Sequence, residues 1–214
     1  MGMTQRTKDG WTALMFAANA GNTDVVTLIL KKGVDLDAGA SDGWTALMFV
    51  VADRQMEMVE FLVNKGANIN IKDNSKYAFT ALVFAVEAED YDIAEFLLVE
   101  MDKDDKADSA LVAYQKGQAL LMAAKKEYSD IVRLMLRFGA DVNTINRDGY
   151  TSLMYATMFG FGNIVGILIE NKADPNIKHF FQSKTALDYA REKKFKEIER
   201  MLLQVGAKEG WEVY

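Results

Sequence analysis

One histidine, His179, stands in the whole chain, between Lys178 and Phe180, and there is no cysteine. A Ser/His/Asp triad or a His-based metal cage would hang on that single residue. Thiolate nucleophiles, disulfides, sulfur-ligated zinc and iron–sulfur clusters are excluded outright. His179 reads as a surface or packing residue rather than a general base. Neither a phosphate-cradling Gly-x-x-x-x-Gly-Lys-Ser/Thr run nor a zinc-binding His-Glu-x-x-His run occurs. Asp102-Lys103-Asp104-Asp105 has the look of a calcium loop. Ala107 stands where that loop needs glycine, however, and Ala113 where it needs its bidentate glutamate. Carboxylates are plentiful but show no sign of a pocket that would set one as acid and another as base. Met15, Met48, Met122 and Met154 recur at helix-period core sites, which suits packing better than copper or haem ligation. The expectation is no catalytic residue, no metal and no cofactor, and hence no enzyme.

What does recur is a unit of chain. Gly10-Trp11-Thr12-Ala13-Leu14-Met15-Phe16 returns as Gly43-Trp44-Thr45-Ala46-Leu47-Met48-Phe49, again around Thr80, Thr151 and Thr185, strongly at Thr151, and in weaker form around Gln118. Those six anchors are 33, 35, 38, 33 and 34 residues apart. Each is followed by a second apolar run, such as Val25–Leu30 or Ile131–Leu136, and most units then close on a glycine turn, as at Gly33, Gly66 and Gly139. Each unit therefore reads as helix, tight turn, helix, glycine turn. The anchor residues sit where a hydroxyl would cap the first helix, and the glycines where a left-handed residue would end the second. One such unit cannot bury its apolar faces alone; six stacked units can.

This pattern resembles the ankyrin repeat over roughly residues 8–208. The carriers are the spacing, the Gly-x-Thr-x-Leu start, the Ala17-Ala18 pair, the double-aliphatic second helix and the Gly-Ala-Asp-x-Asn ending. The departures are consistent. The proline usual after the threonine is Ala13, Ala46, Ala81, Ala119, Ser152 and Ala186, and the usual histidine is Met15, Met48, Val83, Leu121, Met154 and Asp188. The resemblance implies an all-α ankyrin-repeat solenoid of six helix–turn–helix repeats joined by β-hairpin-like turns. It implies one domain, 1–214, with repeats at about 8–40, 41–73, 74–108, 109–146, 147–180 and 181–208 and a tail at 209–214. It also implies a non-catalytic protein–protein interaction module, bacterial in flavour. In that family the residue before the threonine faces the concave groove; here it is Trp11, Trp44, Phe79, Gly117, Tyr150 and Lys184. Further groove positions map to Asp53, Glu87, Lys125, Lys126, Met158 and Phe159. The rings carry two readings, partner anchors or packing against the next hairpin. On the first, Trp11→Ala with Trp44→Ala weakens binding and leaves the thermal midpoint nearly unchanged. Phe180-Phe181 either extends the apolar Met158–Phe161 patch or is buried by repeat six.

Composition agrees with a folded, non-basic protein: 214 residues, 50% hydrophobic, 26% charged, net charge −6. No basic field draws in nucleic acid. No apolar run reaches the roughly 20 residues of a membrane helix. The start lacks the apolar core of a secretory signal, so the expected location is cytoplasmic, with a periplasmic or secreted one open if a leader was removed. Residues 87–108 hold ten acids against two lysines. That band supports an alternative function, an inhibitor or immunity-like protein of bacteria covering a basic enzyme. The long spacing between the third and fourth anchors predicts an altered hairpin there, with Ser109–Gln115 adding a short helical turn. The charged sixth unit reads as a cap, and Trp211 and Tyr214 are expected to fold back on it. Only Met1–Lys8 precede the first repeat. A monomer is expected, with self-association through that repeat as the alternative.

Overall fold

The computed structural model describes residues 6–103 and 109–213. These residues form twelve α-helices and no strand. They belong to two compact units, Met1–Ala107 and Asp108–Tyr214. The first holds α1 (Ala13–Asn19), α2 (Thr23–Leu30), α3 (Ala46–Ala52), α4 (Met56–Asn64), α5 (Ala81–Glu87) and α6 (Tyr91–Lys103). The second holds α7 (Ser109–Lys126), α8 (Ser129–Arg137), α9 (Ser152–Phe159), α10 (Gly162–Glu170), α11 (Ala186–Lys193) and α12 (Lys196–Gln204). Within each unit the helices pair antiparallel, α1 with α2 and onward, and first helices pack on first helices of the next repeat. The core is the apolar stripe of every helix, with Leu14, Met48, Leu82, Leu120 and Leu153 fully buried.

The recurring threonine does what its place predicts in three repeats. Thr12, Thr45 and Thr151 are extended, and each hydroxyl accepts the amide three residues on, at 3.2 Å from Met15, 3.3 Å from Met48 and 3.2 Å from Met154. In the first repeat the Met15 thioether returns the contact, accepting the Thr12 amide at 3.4 Å, a weak form of the capping box. The sixth repeat uses a charged version: Asp188 Oδ2 accepts the Thr185 amide at 2.7 Å. The Thr80 hydroxyl makes no cap bond.

The loops explain the Asp-x-Asn endings. Asp35, Asn68, Asp141 and Asp174 each accept the amide two residues on, at 2.8–3.0 Å, closing a turn on themselves. The residue two further along then reaches the next repeat: Asp37 accepts the Asn68 amide (2.9 Å), Asn143 the Asp174 amide (2.8 Å), and Asn176 the Lys208 amide (2.8 Å). One short side chain shapes a loop and the other ties it to its neighbour.

Two expectations fail in instructive ways. Gln118 is not a helix cap: it lies inside the 18-residue α7, to which Ser109–Gln115 adds the expected helical turn at the front. The run Ser109–Lys126 contains no proline and is rich in good helix formers, so nothing stops the helix where a hairpin would begin. Its one weak point, Gly117, has a steric cause. A Cβ there would lie 2.0 Å from Thr144 Oγ1. The tail does return to the last repeat, with the Thr185 hydroxyl donating to the Lys208 carbonyl (2.7 Å) and the Gly210 amide to Asp188 (2.8 Å). Trp211, however, is exposed rather than packed. Gly210 presses so close to the Ser183 carbonyl that no side chain fits there, and the following indole is turned outward. Tyr214 lies outside the described residues.

Candidate partner-binding surface

Gly10 and Gly43 take positive φ, and a Cβ on either would strike the next repeat's loop, at Ser41 or Asn74. The same loops are joined by the Ser41 amide on the Asp9 carbonyl (3.1 Å) and the Asn74 amide on the Asp42 carbonyl (2.8 Å). Each loop closes hairpin-like, through Ala40 N–H to Trp44 O (2.8 Å) and Asp73 N–H to Phe79 O (2.8 Å). Stacked loops of this kind deliver the ring before each threonine to one row. In the first unit the row is continuous. Trp11 lies 5.0 Å from Phe16 and 4.2 Å from Phe49. Trp44 lies 5.0 Å from Phe49 and 4.3 Å from Phe84. Phe79 meets Phe84 edge-on at 6.1 Å and stacks on Tyr77 at 5.5 Å. Trp11, Trp44 and Phe79 are half-buried: one side of each ring packs on its neighbours and part of each reaches solvent. The second ring of each rung, Phe16, Phe49 and Phe84, is not among the residues that reading the sequence singles out. Its signal is the repeated spacing Trp-x-x-x-x-Phe.

The second unit has its own cluster. Tyr150 lies 4.9 Å from Tyr155 and 4.3 Å from His179, and Tyr155 leads to Phe159 (6.4 Å) and Phe161 (5.7 Å further). The Lys125 ammonium stands 5.6 Å over the Tyr155 ring, within cation–π reach. Lys126 is exposed, Met158 half-buried, and Phe159 48% exposed. Phe180 and Phe181 are open, at 61% and 81%; repeat six does not cover them. Asp53 and Glu87 are exposed, but they end α3 and α5, at the far ends of those helices from Trp44 and Phe79. The ring row and these acids are thus two separate features.

His179 is structural. It is buried, its Nδ1 accepts the amides of Phe181 (3.3 Å) and Gln182 (3.2 Å), and its own amide donates to the Lys184 carbonyl (2.8 Å). Asp73 and Asn146 serve the same office two loops and one loop earlier, each accepting the amide of the following ring residue, Phe79 (2.8 Å) and Tyr150 (2.9 Å). The Tyr189 hydroxyl donates to Gln182 Oε1 at 2.9 Å. Burial first, and then the neighbouring Tyr150, push its pKa above the ordinary tyrosine range. No group of three or more metal-ligating side chains occurs among the described residues. No helix among them is long and apolar enough to cross a membrane. Of the acidic band, Glu87, Glu89, Asp92 and Asp102 are exposed, Asp90 pairs with Arg54 (3.2 Å) and Glu100 with Lys103 (2.5 Å). Asp104, Asp105, Lys106 and Asp108 lie outside the described residues, and with them most of the calcium-like loop.

Paired helices linked by hydrogen-bonded loops, repeated along the chain with a row of rings where the loops enter the helices, define a helical repeat protein. The family model for ankyrin repeats (3 copies) matches residues 1–73, 38–108, 82–179 and 120–210. The chain belongs to the ankyrin repeat family, whose members are in general non-catalytic protein-interaction modules. It is 29% identical over 199 residues to the ankyrin repeat protein YahD of Escherichia coli, covering 90% of this chain and 95% of that one. A solved ankyrin repeat domain from Acinetobacter baumannii AYE superposes with TM-score 0.75 at 28% identity, covering 91% of this chain and 98% of that one. The ankyrin repeat protein EF0377 superposes equally, TM-score 0.75 at 30% identity, covering 90% and 96%. Other curated relatives are far longer. The chain spans 4% of an ankyrin repeat and KH domain-containing protein of Caenorhabditis briggsae, at 34% identity over 91 residues.

Proposed function

We propose that the chain binds a partner protein without catalysing a reaction, and that its rows of aromatic rings supply the anchor. The observation that carries this reading is the ladder Trp11–Phe49–Trp44–Phe84–Phe79, continuous through three repeats, in which every ring but the buried Phe84 is half-buried. Rings held on both flanks lose little side-chain freedom on binding, and large rigid rings dominate interface energies. In the second unit Tyr150, Met158, Phe159 and Lys125 play the same part, and the open Phe180 and Phe181 extend it at the hairpin tip.

The test is capture of a partner from the source cell, followed by titration of the purified pair against variants. Trp44→Ala and Phe159→Ala should each weaken binding by about 1–3 kcal/mol, with the fold checked by circular dichroism. Binding unaffected by both would sink the reading. The alternative, an inhibitor-like or immunity-like cover for a basic enzyme, rests on the exposed acids of α5 and α6. It requires binding that falls steeply with ionic strength and responds to Glu87→Lys and Asp92→Lys rather than to the ring variants.

A further inference from the structure

The six repeats can be compared position by position, and the first is the exception. Val25 is 40% exposed and Leu28 57%, both on α2. The residues in the Val25 position of the later second helices, Met58, Ile93, Ile131, Ile164 and Ile198, are all buried. Those in the Leu28 position, Phe61, Phe96, Leu134, Ile167 and Met201, are buried or half-buried. Phe16 shows the same contrast on α1. It is 52% exposed, where Phe84, Tyr155 and Tyr189 are buried and Phe49 lies against Trp11 of the repeat before it. Among the described residues, nothing covers these three apolar side chains, at positions that the later repeats cover.

The charges on α2 say what fits there. Asp24 lies in its first turn, and Lys31 and Lys32 follow its last, all three exposed. Asp24, Val25, Leu28 and the C-cap Lys31 recur at intervals of three and four, so they share one helix face, and Lys32 follows in the turn at its end. That stripe is self-complementary when two copies run antiparallel. Leu28 and Val25 meet at the centre, and the Asp24 of each copy meets the Lys31 and Lys32 of the other. Such an arrangement is an isologous two-fold contact, which closes on itself.

We infer that this chain forms a two-fold dimer through the exposed face of its first repeat, α2 packing antiparallel on α2 of a second copy. The contact is made by α2, whereas the partner reading rests on the ring row; the two faces share only Phe16, which lies 5.0 Å from Trp11. Leu203 and Val205 on the last repeat are also exposed. They are flanked by the ion pairs of Lys196 with Glu199 (2.9 Å) and Arg200 with Glu197 (2.6 Å), and a head-to-tail contact through them is the competing arrangement.

Analytical ultracentrifugation decides it. Over a series reaching about 1 mM, the wild-type mass should rise to twice the monomer value and stop there. Leu28→Glu, a change at an exposed position, should hold it at the monomer, whereas Leu203→Glu should not. The decisive arm is a charge exchange. Asp24→Lys alone and Lys31→Glu/Lys32→Glu alone should each be monomeric, because both ends of each dimer repel, and mixing the two variants should restore the doubled mass. A wild-type protein that stays monomeric throughout overturns the inference. So does loss of association in Leu203→Glu, growth beyond the dimer, or a mixture that fails to associate. A chain beginning at Arg6 that dimerises when the full chain does not would also overturn it, since the chain's own first five residues would then cover the face.

Discussion

Single residues in this protein are set by what the neighbouring repeat leaves them. Gly117 is the clearest case. Alanine in mid-helix gains about 1 kcal/mol over glycine by propensity, but here its Cβ would lie 2.0 Å from Thr144 Oγ1 and 2.7 Å from Thr144 Cβ. Overpacking of that kind costs about 1–3 kcal/mol or more, so the clash wins. Gly117→Ala should lower the thermal midpoint, and Thr144→Ala in the same chain should recover part of it. Asp37 gives a second test. Its carboxyl is shifted up, by burial first, with the Asn68 amide working the other way and Asp35 adding to the rise. A carboxyl whose folded pKa is raised binds its proton more tightly folded than unfolded, so its charged form costs stability at neutral pH and the cost fades as pH falls through its range. Asn143 and Asn176 do the same work uncharged. Asp37→Asn should therefore raise the midpoint at pH 7, with the gain shrinking in acid. An equal or larger gain in acid would refute this account.

At the scale of the element, each helix pair is held by its cap, its apolar stripe and its rungs. Leu14 and Leu153 are buried, and replacing either by alanine should cost about 2–5 kcal/mol, read by denaturant melts. The rungs amend the expectation for the tryptophans. Trp44 touches Phe49 in its own repeat and Phe84 in the next, so its removal breaks two ring contacts, each worth about 0.5–1.5 kcal/mol beyond area burial. Trp11→Ala with Trp44→Ala should lower the midpoint as well as weaken partner binding, rather than leave it nearly unchanged. A midpoint that does not move would show that the ladder adds nothing to stacking. The packing and partner readings of these rings are not rivals, because a half-buried ring presents its flanks to the stack and its remaining surface to solvent.

For the molecule as a whole, stability in a repeat protein approximates a sum of repeats and nearest-neighbour contacts. In the first unit α3 lies between α1 and α5 and packs on both, while α1 has a neighbouring first helix on one side. Amide exchange should accordingly be fastest in α1 and α2, and slower in α3 and α4. Dimerisation through α2 should slow exchange in α2 selectively at high concentration. Uniform protection through the first unit at low concentration would contradict the additive picture.

The amino-acid sequence determined the family, the helix pairs and the threonine caps of three repeats, because those depend on local spacing and on which residue types recur. Whether a side chain is covered depends on what another repeat brings up to it, and no local pattern carries that. So only the tertiary structure decided that Gly117 is a steric necessity, that His179 organises a loop, and that the Phe180-Phe181 pair stays open. It alone paired each tryptophan with the phenylalanine of the following repeat, and it alone left Phe16, Val25 and Leu28 bare on α1 and α2 where their counterparts in later repeats are more covered.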